Sequence, residues 1–593
     1  MLGKFYEQLG QFEEALSCQD SALDFLDSFS HPMIKSTGYR LFKNERMSES
    51  FRIHENKGRL LYKLSFCAES RDNMLKKSFN EYFIACRLID QVDHEFVREG
   101  SRLLFNESAH NTLSGAFETG YQLYYSGYQE YMTKLFELLE GSHCRVLLSS
   151  ILDDENLQAS GASCFLKSKI DSLQNEITGL LEKIHSGSIA DYPEKFNYLA
   201  DLETVNDLYL SQDSLKRIIK QGLSENCSSG TVGPSISPES VRNRLNNDEA
   251  MIEYFVGDSA LFIMVLTRET VILRKVNIPG DFREMVFNYY HLLKTAETDH
   301  FLDQSRKLYS ILVQPIEPYI DCKKKLLIIP PPEFSLIPFE TLARDTFMNR
   351  GYRCTEPVDW LLLHFDIRYH YSASLWYLDS IKENDEPGKS GFTGFAPLAG
   401  YDELPFSAEE VIRIGNLFQA KCMNATIISG NSATKKLLED QVKKSKIIHI
   451  ATHGLHDKNS GGCSGLIFNS GDNNHNRIKS AYDVVLAGEL GVMKVKADLI
   501  VLSACSTGTG NIVPMEGVMS LPRECIYAGA KNIVFTLWNI SDRFTSQFMQ
   551  DFYGAILSGK DYPSALRDAK LSMLNKPETS LPFIWAPYVL IGR

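Results

Sequence analysis

The spacing of apolar residues changes once along the chain, near residues 224–240. Before this point, stretches such as GYQLYYSGYQEYMTKLFELLE carry apolar residues at helical intervals, which predicts helices that bury one face. After it, short apolar runs such as ALFIMVLT and KKLLIIPPP alternate with helical stretches, which predicts an α/β fold. The stretch between the two parts is rich in Ser, Gly and Pro and predicts a linker.

The first residues match the pattern of a helical repeat. Residues 2–27 place small and aromatic side chains at the offsets of a tetratricopeptide repeat, namely Leu2, Gly3, Tyr6, Gly10, Phe12, Ala15 and Ala22. The phasing starts partway through the first helix of a repeat, so either the sequence is truncated or that helix is short. We therefore predict a multidomain protein that begins with a helical, tetratricopeptide-like domain over residues 1–223.

A run of tyrosines stands out in this helical part. Its members recur at helical spacing and are Tyr121, Tyr124, Tyr125, Tyr128 and Tyr131. The run could form a face that binds a peptide, or it could pack between helices, which is the commoner role of such a stripe.

Two apolar runs in the second part each stop at a reactive side chain. The first, KIIHIATHG, reaches His453 and Gly454, and the second, ADLIVLSACSTGTG, reaches Cys505. Such runs are typical of strands buried on both faces of a parallel sheet. Each strand would deliver its last residue to the carboxyl edge of the sheet, where open α/β sheets bind ligands. We therefore predict that the imidazole and the thiol lie within hydrogen-bond reach of each other.

This pair predicts a thiol nucleophile with its base. A free cysteine has a pKa of roughly 8.5 and is only a few per cent thiolate at neutral pH, so a nearby imidazole is needed to accept the proton. The same imidazole can then protonate the leaving amine. The backbone N–H groups of Gly454 and Cys505 could hold the oxyanion of the tetrahedral intermediate. This chemistry, with His453 and Cys505 as the catalytic residues, needs no cofactor.

The same segments resemble a known family. HIATHG, LIVLSACSTGTG, MEGVMSLPRECIYAGAKNIVFTLWNISD and FIWAPYVLIG follow the order of a CHAT domain, a caspase-like and separase-like group of clan CD cysteine peptidases often joined to tetratricopeptide repeats. The resemblance covers roughly residues 245–593. It implies an inactive caspase-like lobe over residues 241–390 and a catalytic lobe over residues 391–593. It also implies that His453 and Cys505 form the catalytic dyad.

Three further residues could shape the binding of a substrate. Many members of the family read SACETG, whereas this chain has Ser506 in place of the glutamate, so the family's substrate preference need not hold here. Trp538 could wall a pocket, and Asp542 could bind a cationic side chain. The alternative is that Trp538 packs in the core and that Asp542 belongs to the N-terminal cap of a helix.

Other kinds of site fit the sequence less well. His449 and His453 would lie about 13 Å apart on an extended strand, too far to share one metal ion, so we predict no metal site and interpret His449 as a packed strand residue. The segment Gly508-Thr-Gly510 lacks the third glycine of a dinucleotide fingerprint. The main alternative to an enzyme is a scaffold that uses its repeat and caspase-like modules to bind proteins. Such a scaffold would keep its function without Cys505.

Composition and charge limit the classes of binding partner and the cellular location that we predict. The net charge of -13 at pH 7 argues against general binding of nucleic acid or a membrane surface. No apolar run is long enough to span a membrane, and the twelve cysteines lack framework spacing, which predicts a reducing, cytoplasmic location. We predict a protein substrate and an activating protein or nucleoprotein that binds the repeat domain. The family resemblance extends this expectation to regulated proteolysis, including antiviral defence in bacteria.

Overall fold

The structure is a computed structural model of the chain. It describes residues 2–28, 38–93, 99–144, 236–297, 300–344, 358–381, 390–397, 406–456, 464–469, 482–504, 511–513 and 517–593, with short stretches between 147 and 208. Cys505 and Ser506 lie outside the described residues. In the described part of the chain, no helix is long and apolar enough to cross a membrane.

The described N-terminal residues are helical, as the sequence predicts. The helices are α1 (Leu2–Gln8), α2 (Phe12–Ser28), α3 (Gly38–Leu64), α4 (Arg71–Asp93), α5 (Glu99–Tyr125) and α6 (Glu130–Gly141). Each contacts the next one along the chain, which is the packing of a stacked helical repeat. Gly115 permits the close approach of α5 to α4, because a Cβ atom there would lie 2.4 Å from Cζ of Tyr82.

The second part of the chain supplies the strands. They are β1 (Glu249–Val256), β2 (Ala260–Thr267), β3 (Val271–Asn277), β4 (Lys325–Ile329), β5 (Asp366–Tyr369), β6 (Ser390–Ala396), β7 (Ala425–Ser429), β8 (Ser445–Thr452), β9 (Gly454–His456), β10 (Ser464–Asn469), β11 (Tyr482–Leu486), β12 (Leu499–Ala504), β13 (Asn511–Val513), β14 (Gly517–Met519), β15 (Asn532–Thr536) and β16 (Tyr588–Gly592). The longer strands are apolar runs that are buried almost throughout, as expected for strands covered on both faces.

Eleven of these strands form one mixed sheet in the order β3-β2-β1-β4-β5-β16-β15-β12-β8-β6-β7. β1, β2 and β3 are an antiparallel meander. The last strand, β16, runs antiparallel to β15 and parallel to β5. β16 therefore links strands of the predicted inactive lobe (residues 241–390) with strands of the predicted catalytic lobe (residues 391–593) in one sheet. The predicted boundary between two lobes at that position stays a prediction.

Helices pack against this sheet. The helices of the second part are α7 (Pro238–Arg242), α8 (Phe282–Thr295), α9 (Phe301–Leu312), α10 (Glu317–Ile320), α11 (Ala373–Ile381), α12 (Ser407–Ala420), α13 (Lys435–Gln441), α14 (Ala487–Val492), α15 (Leu521–Tyr527), α16 (Asp542–Leu557), α17 (Tyr562–Leu574) and α18 (Pro582–Trp585). α12 contacts β6, β7 and β8, and α17 contacts β5 and β16. The predicted fold class, a helical region followed by an α/β domain, is confirmed.

The helical part packs directly on the sheet. The ring of Phe117 on α5 stacks on Phe255 of β1 with 4.4 Å between centroids, and α4, α5 and α6 share one buried cluster with β1, β2 and β4. Most of the tyrosine run packs against this cluster, but Tyr125 is 79% exposed. The run therefore contributes to helix packing and also leaves an aromatic ring on the surface.

Candidate active site

The strands that precede the predicted dyad are neighbours. β8 and β12 run parallel, and their last residues, Thr452 and Ala504, are register partners. His453 and Cys505 are the next residues in the sequence. Because Cys505 lies outside the described residues, its contact with His453 stays a prediction, and so does the role of Ser506.

The backbone at His453 is held by the adjacent small sheet of β9, β10 and β11. The N–H of Ile467 donates to the carbonyl oxygen of His453 at 3.1 Å, and the hydroxyl of Thr452 donates to the carbonyl of Ile467 at 2.6 Å. Gly454 faces Leu466 in this antiparallel pairing. Since hydrogen-bonded pairs alternate along such a ladder, the N–H of Gly454 is directed away from β10. That direction is compatible with its predicted role in an oxyanion hole.

Asp542 interacts electrostatically with His453. It is the first residue of α16, after Ser541 at the N-cap position. Burial raises the pKa of the Asp542 carboxyl, the charge of Glu410 raises this pKa further, and His453 acts in the opposite direction. The structure therefore brings Asp542 into the electrostatic range of His453. The role of Asp542 in binding a cationic side chain stays a prediction.

Trp538 occupies a different environment. Its side chain is fully buried, its indole N–H donates to the carbonyl oxygen of Phe583 at 2.8 Å, and its ring meets Tyr290 edge to face. These are contacts of a packed core residue. A substrate-pocket role for Trp538 stays a prediction.

A buried carboxylate ties the two key strands together. Glu410 of α12, 2% exposed, accepts hydrogen bonds from Nε2 of His449 and from the hydroxyl of Ser503, both at 2.7 Å. His449 lies on β8 and Ser503 on β12. Nδ1 of His449 lies 3.2 Å from the hydroxyl of Tyr553, so with Nε2 as the donor to Glu410 the other nitrogen accepts from Tyr553. The carboxylate thus fixes β8 four residues before His453 and β12 two residues before Cys505.

The sequence pattern does not reveal this role of Glu410, which lies beside Glu409 in the acidic first turn of α12. Glu410 differs from Glu409 in its position on the helix. Glu410 lies on the same side of α12 as the buried residues Val411 and Ile414. A buried charge is seldom visible in a sequence because its partners come from distant segments.

Replacing Glu410 with alanine is expected to destabilise the protein by about 2–4 kcal/mol, since two buried donors lose their acceptor. Urea unfolding measures this change. Glu409→Ala is the matched control: Glu409 is partly exposed and forms an ion pair with Arg413 one turn away, so its loss should cost less than about 0.5 kcal/mol. Equal destabilisation by the two substitutions would contradict the assigned role.

Asp542→Asn is expected to raise the urea midpoint of unfolding more at pH 8 than at pH 4. The pKa of Asp542 is raised in the folded state by burial and by Glu410, so the wild type loses stability as the pH rises and this carboxyl ionises. The neutral amide avoids that loss. A midpoint difference that is the same at both pH values would show that Asp542 titrates normally.

No group of three or more His, Cys, Asp or Glu side chains among the described residues is arranged to hold a metal ion.

The fold and site define a class: an α/β domain with a histidine at the carboxyl edge of its sheet, joined to stacked helices. Residues 302–593 match the CHAT domain family, so the protein carries a CHAT domain, as the sequence motifs indicate.

Tetratricopeptide repeat protein 28 from Homo sapiens is 23% identical over 48% of this chain, and the Mus musculus protein is 22% identical over 32%. The matches span only 13% and 8% of those relatives.

Two crystal structures of the Saccharomyces cerevisiae separase–securin complex align with the whole of this chain and with 52% and 53% of theirs. The sequence identities are 9% and 10%, and the TM-scores are 0.39 and 0.36.

Proposed function

We propose that this protein is a regulated cysteine endopeptidase, in which Cys505 attacks the scissile carbonyl carbon and His453 acts first as base and then as acid. The observation that carries the proposal is the register of β8 and β12, whose last residues are partners and precede those two side chains directly. A thiol and an imidazole in these positions can exchange a proton. The CHAT match over residues 302–593 supports the same assignment.

The surroundings of His453 suit this chemistry. When Cys505 gives up its proton, His453 becomes an imidazolium, and a negative charge nearby stabilises that state. Asp542 supplies such a charge. The N–H groups of Gly454 and Cys505 would stabilise the oxyanion. Because the partly buried Asp542 carboxylate interacts electrostatically with His453, we propose that the enzyme prefers a basic side chain next to the cleaved bond.

The helical domain is proposed to control the site. Glu140 of α6 accepts hydrogen bonds from the backbone N–H groups of Ala373 and Ser374, which open α11, and Phe117 of α5 stacks on β1. A partner that moves α5 or α6 would therefore act on the sheet through these contacts. The protein or nucleoprotein nature of that partner, the cytoplasmic location and the role in bacterial defence stay predictions.

The proposal is tested by expressing the full chain in cells and mapping new protein termini by mass spectrometry. We expect new termini when the chain is expressed together with the proteins encoded by its neighbouring genes. These termini should share one residue pattern, with Lys or Arg beside the cleaved bond. If no new terminus depends on the presence of the chain, with or without the co-expressed proteins, the result would favour a scaffold that binds proteins without cutting them.

A further inference from the structure

The two ends of the large sheet differ in how well their edges are covered. At one end, Leu273 of β3 is only 2% exposed, and the backbone of Lys275 is hydrogen bonded to Tyr121. At the other end, β7 pairs in parallel with β6, and the described residues contain no strand on its other side. Within the described chain, β7 is therefore the end of the sheet that lacks a cover.

The outward backbone groups of β7 are unpaired. The N–H of Phe392 in β6 donates to the carbonyl oxygen of Asn424 at 2.9 Å. In a parallel pair, this bond directs the backbone groups of every second residue from 424 onward toward β6. The N–H and C=O groups of Ala425, Ile427 and Ser429 therefore point outward, and no described residue pairs with them. Ala425 and Ile427 are partly exposed and Ser429 is exposed, so the edge offers main-chain hydrogen bonds along its length.

The sequence of this edge lacks the features that usually prevent strand addition. Natural edge strands are protected by charged side chains, especially lysine, by proline or by a bulge. The chain carries neither a charged residue nor a proline between Lys421 and Lys435, and β7 lies inside this interval. β3, in contrast, has Arg274 and Lys275. In a chain with a net charge of -13, an uncharged edge is one that a second copy can approach without local repulsion.

The flank of α12 beside β7 is also uncharged. Glu410 contacts β8 and β12, so that side of α12 faces the middle of the sheet. Gly415 packs on β7, because a Cβ atom there would lie 2.7 Å from Cδ1 of Ile427. Ile412 and Gln419 lie on the same side of the helix as Gly415, one turn before and one turn after it, and both are exposed. Ile412, which is 44% exposed, thus adds an apolar side chain to the open edge.

We propose that two copies of the chain associate through β7 as an antiparallel pair, which makes one continuous sheet across a two-fold axis at Ile427. In this register Ile427 pairs with Ile427 of the second copy, and Ala425 pairs with Ser429 of the second copy. These are the positions whose backbone groups point outward, so each of them gains a partner.

The same two-fold axis brings the α12 helices together. Because the axis is perpendicular to the sheet, the two helices lie side by side on one face, and their Ile412 flanks face each other. A second copy therefore covers both the strand edge and the exposed isoleucine, whereas an isolated peptide strand covers only the edge. The proposal is independent of whether the protein is a peptidase.

The first test is sedimentation equilibrium of the full chain over a series of concentrations. We expect one transition from monomer to dimer at micromolar concentration, because a two-fold pair uses the open edge of both copies and then stops growing. Thr426→Lys adds a charge at an exposed position of β7 and should raise the dissociation constant at least about tenfold. A chain that stays monomeric at every concentration, which would leave the edge to a different protein, or masses beyond the dimer would overturn the proposal.

The contact between the α12 helices is tested by Ile412→Lys, which places like charges on the two facing flanks and should also raise the dissociation constant at least about tenfold. Leu581→Lys is the matched control. Leu581 is 45% exposed, close to the value for Ile412, but it precedes α18, which leads to β16 in the middle of the sheet. Equal dimerisation of the two variants would contradict the proposed packing.

Strand pairing is tested by hydrogen exchange resolved to single residues, below and above the dissociation constant. The amides of Ala425, Ile427 and Ser429 should exchange freely in the monomer and become protected in the dimer. The amides of Thr426 and Ile428 point toward β6 and should be protected in both states. Dimerisation without this alternation along β7 would mean that the copies meet at another surface.

Discussion

Exchange of Cys505 for alanine is expected to abolish proteolysis, with a loss of at least about 10³-fold in the rate of substrate cleavage. The thiolate is the only group in the proposed mechanism that forms a bond to the scissile carbonyl carbon, so its removal leaves no nucleophile on the enzyme. The measurement is the yield of new protein termini from cells that express the wild type or the variant.

Cys422→Ala provides the matched control for this experiment. Cys422 is an exposed free cysteine that follows α12, on the edge of the sheet near β7, so its loss should leave the termini unchanged. Cleavage at the same bonds by Cys505→Ala would contradict the nucleophile assignment. Equal loss of cleavage in both variants would point to general damage by cysteine removal.

Replacement of Lys570 by methionine is expected to destabilise the fold by about 3–5 kcal/mol, because it leaves a buried carboxylate without its cation. Lys570 of α17 is fully buried, and its ammonium group contacts the carboxylate of Glu340, which is 2% exposed. Tyr369 of β5 donates a further hydrogen bond to the same carboxylate at 2.6 Å. Urea unfolding measures the loss.

Two companion variants separate the buried charge from ordinary packing. The double variant Lys570→Met/Glu340→Gln should recover much of the lost stability, since no unpaired charge remains. Lys560→Met breaks an ion pair between Lys560 and Asp568, and both of these side chains are partly exposed. This substitution should lower the free energy of unfolding by no more than about 1 kcal/mol. If Lys570→Met is no worse than Lys560→Met, the buried pair does not hold α17 against the sheet.

Local patterns in the sequence were sufficient to predict the strands that lead to the site. Buried parallel strands are continuous apolar runs, and the runs before His453 and Cys505 are β8 and β12, paired in register. The interpretation of His449 as a packed strand residue also agrees with its complete burial. These features depend on short segments, so a single sequence reveals them.

Long-range partners were not predictable in the same way. The pairing of β16 with β5 joins residues more than two hundred positions apart, and nothing in either short strand specifies the other. Glu410 is similar: its sequence context is an ordinary helix start, and its role arises only when α12 packs over His449 and Ser503.

The most direct test of the central claim is a competition among the twelve cysteines for limiting iodoacetamide at pH 6.5, with peptide mass mapping. An ordinary thiol is only about 1% thiolate at that pH, so the exposed Cys67, Cys322 and Cys422 should react slowly. We expect Cys505 to be alkylated at least tenfold faster than these three, and His453→Ala to remove this advantage. Alkylation of Cys505 no faster than of the exposed thiols would contradict the claim that His453 and Cys505 form a catalytic pair.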